Sequence, residues 1–342
     1  MVTSIEIHAI KIIDEVIYYS HLLKWEYMLK ILKKMIVSTC LIGSIFNSVW
    51  AENANFDFSV TPIVDNVYSI VSPSFGLPTP ENKGWNSNSH FVVTEKGVLL
   101  FDTGSSEIIG NEIKKAIKSV TEKPVRWVVN SHSHADHWLG NAGFTDTGAE
   151  IISSVRAVAI MKEDGQGPVD AFSRMTEGAT GSTHVVYPSL LLAQGEKRNF
   201  GGVDVEFIFS NDAHSPGDVL MWLPEQKIIF GGDVLSSQWM PILTYHGDVP
   251  NLIDTLNDVV KLNPEIVLTG HGEATTGKSV KRDADLVAGV WKLVKEGYQE
   301  NKKPNEIILD VSAELGPLYR PLYDNFDSEI KRYVELMYKR QQ

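Results

Sequence analysis

The chain has 342 residues, 43% hydrophobic and 22% charged, with 26 Gly and 15 Pro. These proportions are ordinary for a globular protein and exclude collagen-like, coiled-coil and wholly disordered chains. Basic residues number 31 and acidic ones 43, a formal net charge of −12. That balance argues against nucleic acid and anionic lipid as partners, since both need a basic face.

The one long apolar run, Met35 to Val49, follows Lys30, Lys33 and Lys34 and ends in Val49-Trp50-Ala51. A basic opening, a short apolar core and a small-x-small exit predict a signal peptide over 28–51, cut between Ala51 and Glu52. Ser, Gly and Asn break the run, which is too short for a comfortable membrane span. Val37-Ser38-Thr39-Cys40 is a poor lipoprotein box, because Thr39 suits it badly and apolar sequence continues past the cysteine. Residues 1–27 read as an over-extended start. Cys40 is the single cysteine, which excludes a disulfide scaffold and a cysteine-rich metal site. The mature chain from Glu52 would carry no cysteine and 26 basic against 39 acidic residues, or −13. It is expected in the periplasm or outside the cell, with no stable membrane anchor after processing.

Beyond the leader, Asn66–Val71, His90–Thr94 and Val98–Asp102 read as strands, the last two joined as a hairpin by Glu95-Lys96-Gly97. Ile109, Ile113, Ile117 and Val120 then recur at helical spacing until Pro124. Val125–Asn130 and Glu150–Ser153 read as strands, and Val155–Lys162 as a helix. Residues 164–200 are expected to be loop with one short helix. Strands follow at Val203–Phe209, Val219–Leu223, Lys227–Gly231 and Glu265–Thr269, with a helix at Asn251–Leu262. The tail holds two or three helices, one with Phe326, Ile330, Tyr333, Val334 and Met337 on one face. Two batches of strands interleaved with helices predict an α/β sandwich of two packed sheets with helices outside.

Three of the mature chain's eight histidines fall in Ser131-His132-Ser133-His134-Ala135-Asp136-His137, directly after the strand 125–130. Imidazole and carboxylate are what a borderline cation such as Zn²⁺ takes when thiolate is absent. Alternation puts His132 and His134 on one side of the turn, while Asp136 and His137 can face a second point. Three further strand ends deliver His214, Asp233 (in Gly231-Gly232-Asp233) and His271 (in Thr269-Gly270-His271-Gly272). Function commonly sits on loops held this way by a rigid sheet. Asp102 could orient a ligating histidine or cap the following helix. Trp85, Trp138, Trp239, Tyr245 and His246 lie in or near the surrounding loops as substrate-pocket candidates. His90 and His184 read as structural or surface residues.

His132-x-His134-x-Asp136-His137 followed by His214, Asp233 and His271 resembles the metallo-β-lactamase superfamily of binuclear metallohydrolases. Phe101-Asp102-Thr103-Gly104 is similar to its motif before the first long helix, and the likeness covers roughly residues 60–280. It implies an αββα sandwich, a catalytic domain at 52–280, and 281–342 as a helical extension packed on the same domain. It also implies two divalent metal ions per chain, Zn²⁺ first with Fe or Mn as alternatives. His132, His134 and His214 would hold one ion, and Asp136, His137 and His271 the other, with Asp233 bridging. True metallo-β-lactamases typically carry Cys or Ser where this chain has Asp233. The aspartate resembles glyoxalase II-type thioesterases, lactonases and periplasmic members associated with sulfur oxidation and quinoprotein systems.

The activity implied is hydrolysis of a small ester, lactone, thioester or lactam, with Asp136 and Asp233 closest to the chemistry. A hydroxide shared by the ions would attack the carbonyl. The alternatives are an iron-dependent (persulfide) dioxygenase or a β-lactamase on the same fold, and then a non-catalytic metal-binding protein. A flavodiiron oxidoreductase would tend to carry Glu in place of His134, and a nuclease would need an added domain and a basic track. Specificity is expected from loops around 72–88, 164–195 and 235–248.

Overall fold

In the computed structural model, which describes residues 57–73, 76–181 and 183–342, the two batches of strands form two separate sheets. The first contains β1 (Thr61–Val64), β2 (Val67–Ile70), β3 (Ser89–Val93), β4 (Val98–Phe101), β5 (Val125–Val129), β6 (Glu150–Ser154) and β7 (Leu190–Leu192), side by side in that order. Pairing is antiparallel from β1 to β4 and parallel from β4 to β7. The second contains β8 (Lys197–Phe200), β9 (Val203–Phe209), β10 (Val219–Leu223), β11 (Ile228–Phe230) and β12 (Ile266–Leu268) in the order β12-β11-β10-β9-β8. Only β11 and β12 pair in parallel there. The helices are α1 (Glu107–Lys118), α2 (Ala135–Trp138), α3 (Val155–Asp164), α4 (Gly167–Met175), α5 (Val249–Leu262), α6 (Gly277–Gln299), α7 (Pro304–Glu314), α8 (Gly316–Tyr319) and α9 (Phe326–Lys339).

Strand alternation divides the side chains among three apolar layers. Leu99 and Phe101 of β4 point to the second sheet and pack with Phe207, Met221 and Phe230; the rings of Phe101 and Phe230 are 5.6 Å apart. Val98 and Leu100 point the other way, onto Ile109, Ile113 and Ile117 of α1. That helix is opened by Ser106, whose hydroxyl accepts from the Ile109 N–H at 3.2 Å, a cap worth about 1 kcal/mol. On the far side Leu220, Trp222 and Ile229 of the second sheet meet Leu252, Leu256, Val287 and Tyr333 from α5, α6 and α9. The layers run helix, sheet, sheet, helix, and the αββα expectation holds.

Local differences have local causes. Residues 164–200 contain α4 and also β7 and β8, two short strands at the sheet edges with no periodic pattern to read. Helix α5 starts at Val249, earlier than Asn251, because Asp248 caps it at 2.9 Å and Pro250 fits a first turn that needs no N–H. The tail forms four helices, not two or three, α8 being a single turn. The leader, its cleavage site and Cys40 lie outside the described residues. Among those described, no helix is long and apolar enough to cross a membrane.

Candidate metal centre

Strands β9 and β11 both run opposite to β10, and β12 runs with β11, so the C-terminal ends of β9, β11 and β12 share one edge. The C-terminal ends of the parallel pair β4 and β5 meet them there. After β5 the chain turns through His132 and His134 into α2, which carries Asp136 and His137. Asp102 fixes this turn, accepting the Ser131 N–H at 2.7 Å, while the Thr103 N–H bonds the His137 carbonyl at 3.0 Å. Gly140, just beyond, has room for no side chain, since a Cβ there would stand 1.9 Å from the Thr103 carbonyl oxygen. His214 follows β9 in a loop organised by buried Asp218, which accepts from the His214 N–H and from the Ser210 and Ser215 hydroxyls. Asp233 sits in a 3₁₀ turn after β11, and His271 after β12.

These residues converge in two groups whose ligand atoms lie within 4.8 Å of one another: His132, His134, His214 and Asp233, then Asp136, His137 and His271. In the first, Nδ1 of His134 is 3.0 Å from Nε2 of His132 and 2.9 Å from Nε2 of His214. In the second, Oδ2 of Asp136 is 3.7 Å from Nε2 of both His137 and His271. Asp233 touches both groups. Its Oδ2 is 3.6 Å from His214 Nε2 and 3.3 Å from His271 Nε2, and its Oδ1 is 3.3 Å from His137 Nε2.

The outer nitrogens set the tautomers. Nδ1 of His214 faces the Ile242 carbonyl at 2.9 Å, and Nδ1 of His271 the Asn86 carbonyl at 2.7 Å. A carbonyl only accepts, so both Nδ1 atoms carry the proton and both Nε2 lone pairs point inward. His137 Nδ1 donates to Asp102 Oδ2 at 2.9 Å. His132 Nδ1 donates to the Ser131 hydroxyl, which donates in turn to Asp102. Asp102 therefore orients histidines of both groups, and the helix cap belongs to Ser106.

The donor set fits a divalent cation. His137 Nε2 and Asp233 Oδ1 are buried with no hydrogen-bond partner, a costly arrangement that a cation between them relieves. Burial holds His132 and His214 below the usual imidazole range and brings His134 to about 4, leaving them neutral as ligands must be. Burial also opposes charge on His137 and His271, but the facing Asp233 and Asp136 outweigh it and push both upward. Burial likewise opposes ionisation of Asp233, yet His271 and His137 drive it well below the usual carboxylate range. The space between these groups demands positive charge.

A cavity of about 730 Å³ opens over the centre. Leu77 and Pro78, Phe172 of α4, and Met240 and Ile242 form its apolar wall, so each of the three expected loop regions contributes. Asn325, Glu329 and Arg332 complete it from the C-terminal segment, which the sequence did not flag. The aromatic candidates are not in this wall. Trp85 is buried and stacks on Phe58 at 3.9 Å. Trp138 is buried with α3, its indole N–H bonded to the Ser133 carbonyl. Trp239 packs against Gly272, and Tyr245 and His246 face solvent. Position beside a site loop does not fix a side chain's direction: Trp85 and Trp138 turn into the core, while Tyr245 stays exposed. His90 is buried between Ser69 and the Thr269 carbonyl, and exposed His184 pairs with Glu107. Sequence reasoning also missed Asn86, Ser131 and Asp218. Ser131 and Asp218 could have been found as small polar residues beside the ligand motifs, whereas Asn86 lies far from any of them in the chain.

A family model described as the metallo-beta-lactamase superfamily matches residues 82–271, more than half of the chain. Metallo-beta-lactamase IND-1 of Chryseobacterium indologenes is 25% identical over 250 residues, covering 72% of this chain and 95% of that protein. Metallo-beta-lactamase type 2 of Bacillus cereus is 23% identical over 192 residues, covering 55% and 67%. Among solved structures, a metallo-beta-lactamase from Pontibacter korlensis superposes with a TM-score of 0.53 at 22% identity, covering 68% of this chain and 99% of that one. The inverting sec-alkylsulfatase Pisa1 of Pseudomonas sp. reaches 0.62 at 16% identity, covering 82% of this chain and 50% of that one.

Proposed function

This chain belongs to the metallo-beta-lactamase superfamily and is an enzyme of that fold, and we propose that it is an exported, binuclear, metal-dependent hydrolase of a small carboxylic acid derivative. The observation that carries this reading is Asp233, one carboxylate within 3.6 Å of ligand nitrogens in both groups. His132, His134 and His214 would hold one ion and Asp136, His137 and His271 the other, with Asp233 shared. Zn²⁺ suits neutral imidazole and carboxylate best, ahead of Fe or Mn. When bound, the ions make water a nucleophile at neutral pH and polarise the scissile carbonyl.

The chain's own residues do the rest. Asp136 and Asp233 face the cavity and accept hydrogen bonds from the attacking water, which orients it. Asp102 keeps His137 in the tautomer that presents Nε2. Leu77, Pro78, Phe172 and Met240 exclude solvent and take the acyl portion. An ester, lactone or thioester is preferred over a β-lactam, because an aspartate stands where the lactamases typically carry Cys or Ser. Relatives named as metallo-beta-lactamases support the competing reading, a β-lactamase.

Elemental analysis of protein never exposed to chelator should find two equivalents of metal, mainly zinc. One or fewer defeats the binuclear reading, and mainly iron transfers support to the dioxygenase. A panel of lactone, thioester, aryl ester and β-lactam then ranks substrates by kcat/KM. A β-lactam ahead by more than about a hundredfold, roughly 2.7 kcal/mol, overturns the stated preference. Asp233→Ala should keep the fold and lose metal affinity and nearly all turnover.

A further inference from the structure

We propose that Asn86 is the positioning residue of the second metal half-site, holding Asp136 through its side chain and His271 through its main chain. Its carboxamide N–H donates to Asp136 Oδ2 at 2.8 Å. Its carbonyl oxygen receives the His271 Nδ1 proton at 2.7 Å. Two of the three unshared ligands of one ion, 135 residues apart in the chain, are therefore oriented by a single residue that is itself 2% exposed.

The amide has one reading. Its N–H groups point at the Gly76 carbonyl at 2.8 Å and at Asp136 Oδ2, and a carbonyl can only accept, so nitrogen and oxygen cannot exchange places. That orientation leaves Asn86 Oδ1 buried without a partner. Such a cost is expected where a donor is needed at a fixed point rather than where a side chain merely fills space. The neighbours reinforce the clamp. The Ser87 hydroxyl donates to the Asp136 carbonyl. Asn88 donates to the carbonyls of Thr269, Gly270 and Gly272 around His271.

The first half-site does not rest on Asn86. His132 leans on Ser131 and Asp102, and His214 on the Ile242 carbonyl. Loss of the Asn86 side chain should thus act on one ion and spare the other. A residue important only for folding would weaken both.

The inference rests on the binuclear reading, and the experiment separates the two. Metal-free full-length protein is titrated with Zn²⁺ against a chromophoric chelator, wild type beside Asn86→Ala and Asn86→Leu, the second of which keeps the volume. The variants should bind the first ion as wild type does and the second ten- to a hundredfold more weakly. Unchanged affinity for both ions, or equal weakening of both, overturns the proposal. A wild type that takes only one ion overturns the binuclear reading and this inference with it.

Discussion

Gly270→Ala tests the centre through a single methyl group. The backbone of Gly270 is not left-handed, so alanine is not refused on conformational grounds. The obstacle is space: a Cβ would lie 2.1 Å from Asp233 Oδ1, 2.9 Å from the Gly232 carbonyl carbon and 3.0 Å from His137 Cε1. The first contact is about 1.3 Å short of the 3.4 Å at which ordinary van der Waals contact begins. The backbone cannot retreat, because Gly270 donates to the Gly232 carbonyl and accepts from the Asn88 N–H, each at 2.8 Å. Asp233 must turn away from both groups of ligands. Overpacking of this kind costs about 1–3 kcal/mol of stability, and a misplacement of about 1 Å costs on the order of 10²-fold in rate. The assays are zinc stoichiometry, kcat/KM on the best panel substrate, and Tm. Gly167→Ala is the control, since nothing lies within 4 Å of its Cβ, and it should be neutral. Folded Gly270→Ala with two ions and wild-type kcat/KM would refute the steric account of the centre.

Asp283 is buried beneath Tyr323 and Arg282, and burial raises its carboxyl to about 7. The native state then holds a proton that the unfolded chain releases near 3.9, so this group's contribution is full below about pH 4 and is lost as pH rises to about 7. The loss is on the order of 4 kcal/mol at most, and Asp283→Asn should flatten Tm against pH across that window; an unchanged slope would contradict the assignment. Arg332→Met removes a guanidinium from the cavity wall and should raise KM about tenfold with kcat little changed, because binding to ground and transition states is lost alike. A fall in kcat at constant KM would instead put Arg332 near the reacting atoms. Mature protein recovered from cells should begin at Glu52, and an intact Met1 or Met28 would exclude the signal peptide.

The convergence of His132, His134, Asp136, His137, His214, Asp233 and His271 was legible because the capacity to ligate is a property of residue type. His132, His134, Asp136 and His137 crowd six positions after an apolar strand, and His214, Asp233 and His271 follow three others. The sheets were legible for a similar reason, since the short apolar runs of β4 and β10 are local. Strands β7 and β8 were not, being short edge strands that take their conformation from the neighbours they pair with.

From the sequence alone come the two-sheet architecture and the seven candidate ligand residues, because each depends on side-chain type and on its place at the end of an apolar strand. Only the tertiary structure decides which nitrogen each histidine turns inward, that Asp102 orients His137 while Ser106 caps the helix, and that the five aromatic candidates lie outside the cavity. It alone brings Arg332 of α9 to a cavity shared with His134, almost two hundred residues earlier, and Asn86 to both Asp136 and His271. Such contacts follow from how whole elements pack, and no local pattern encodes the meeting of residues so far apart.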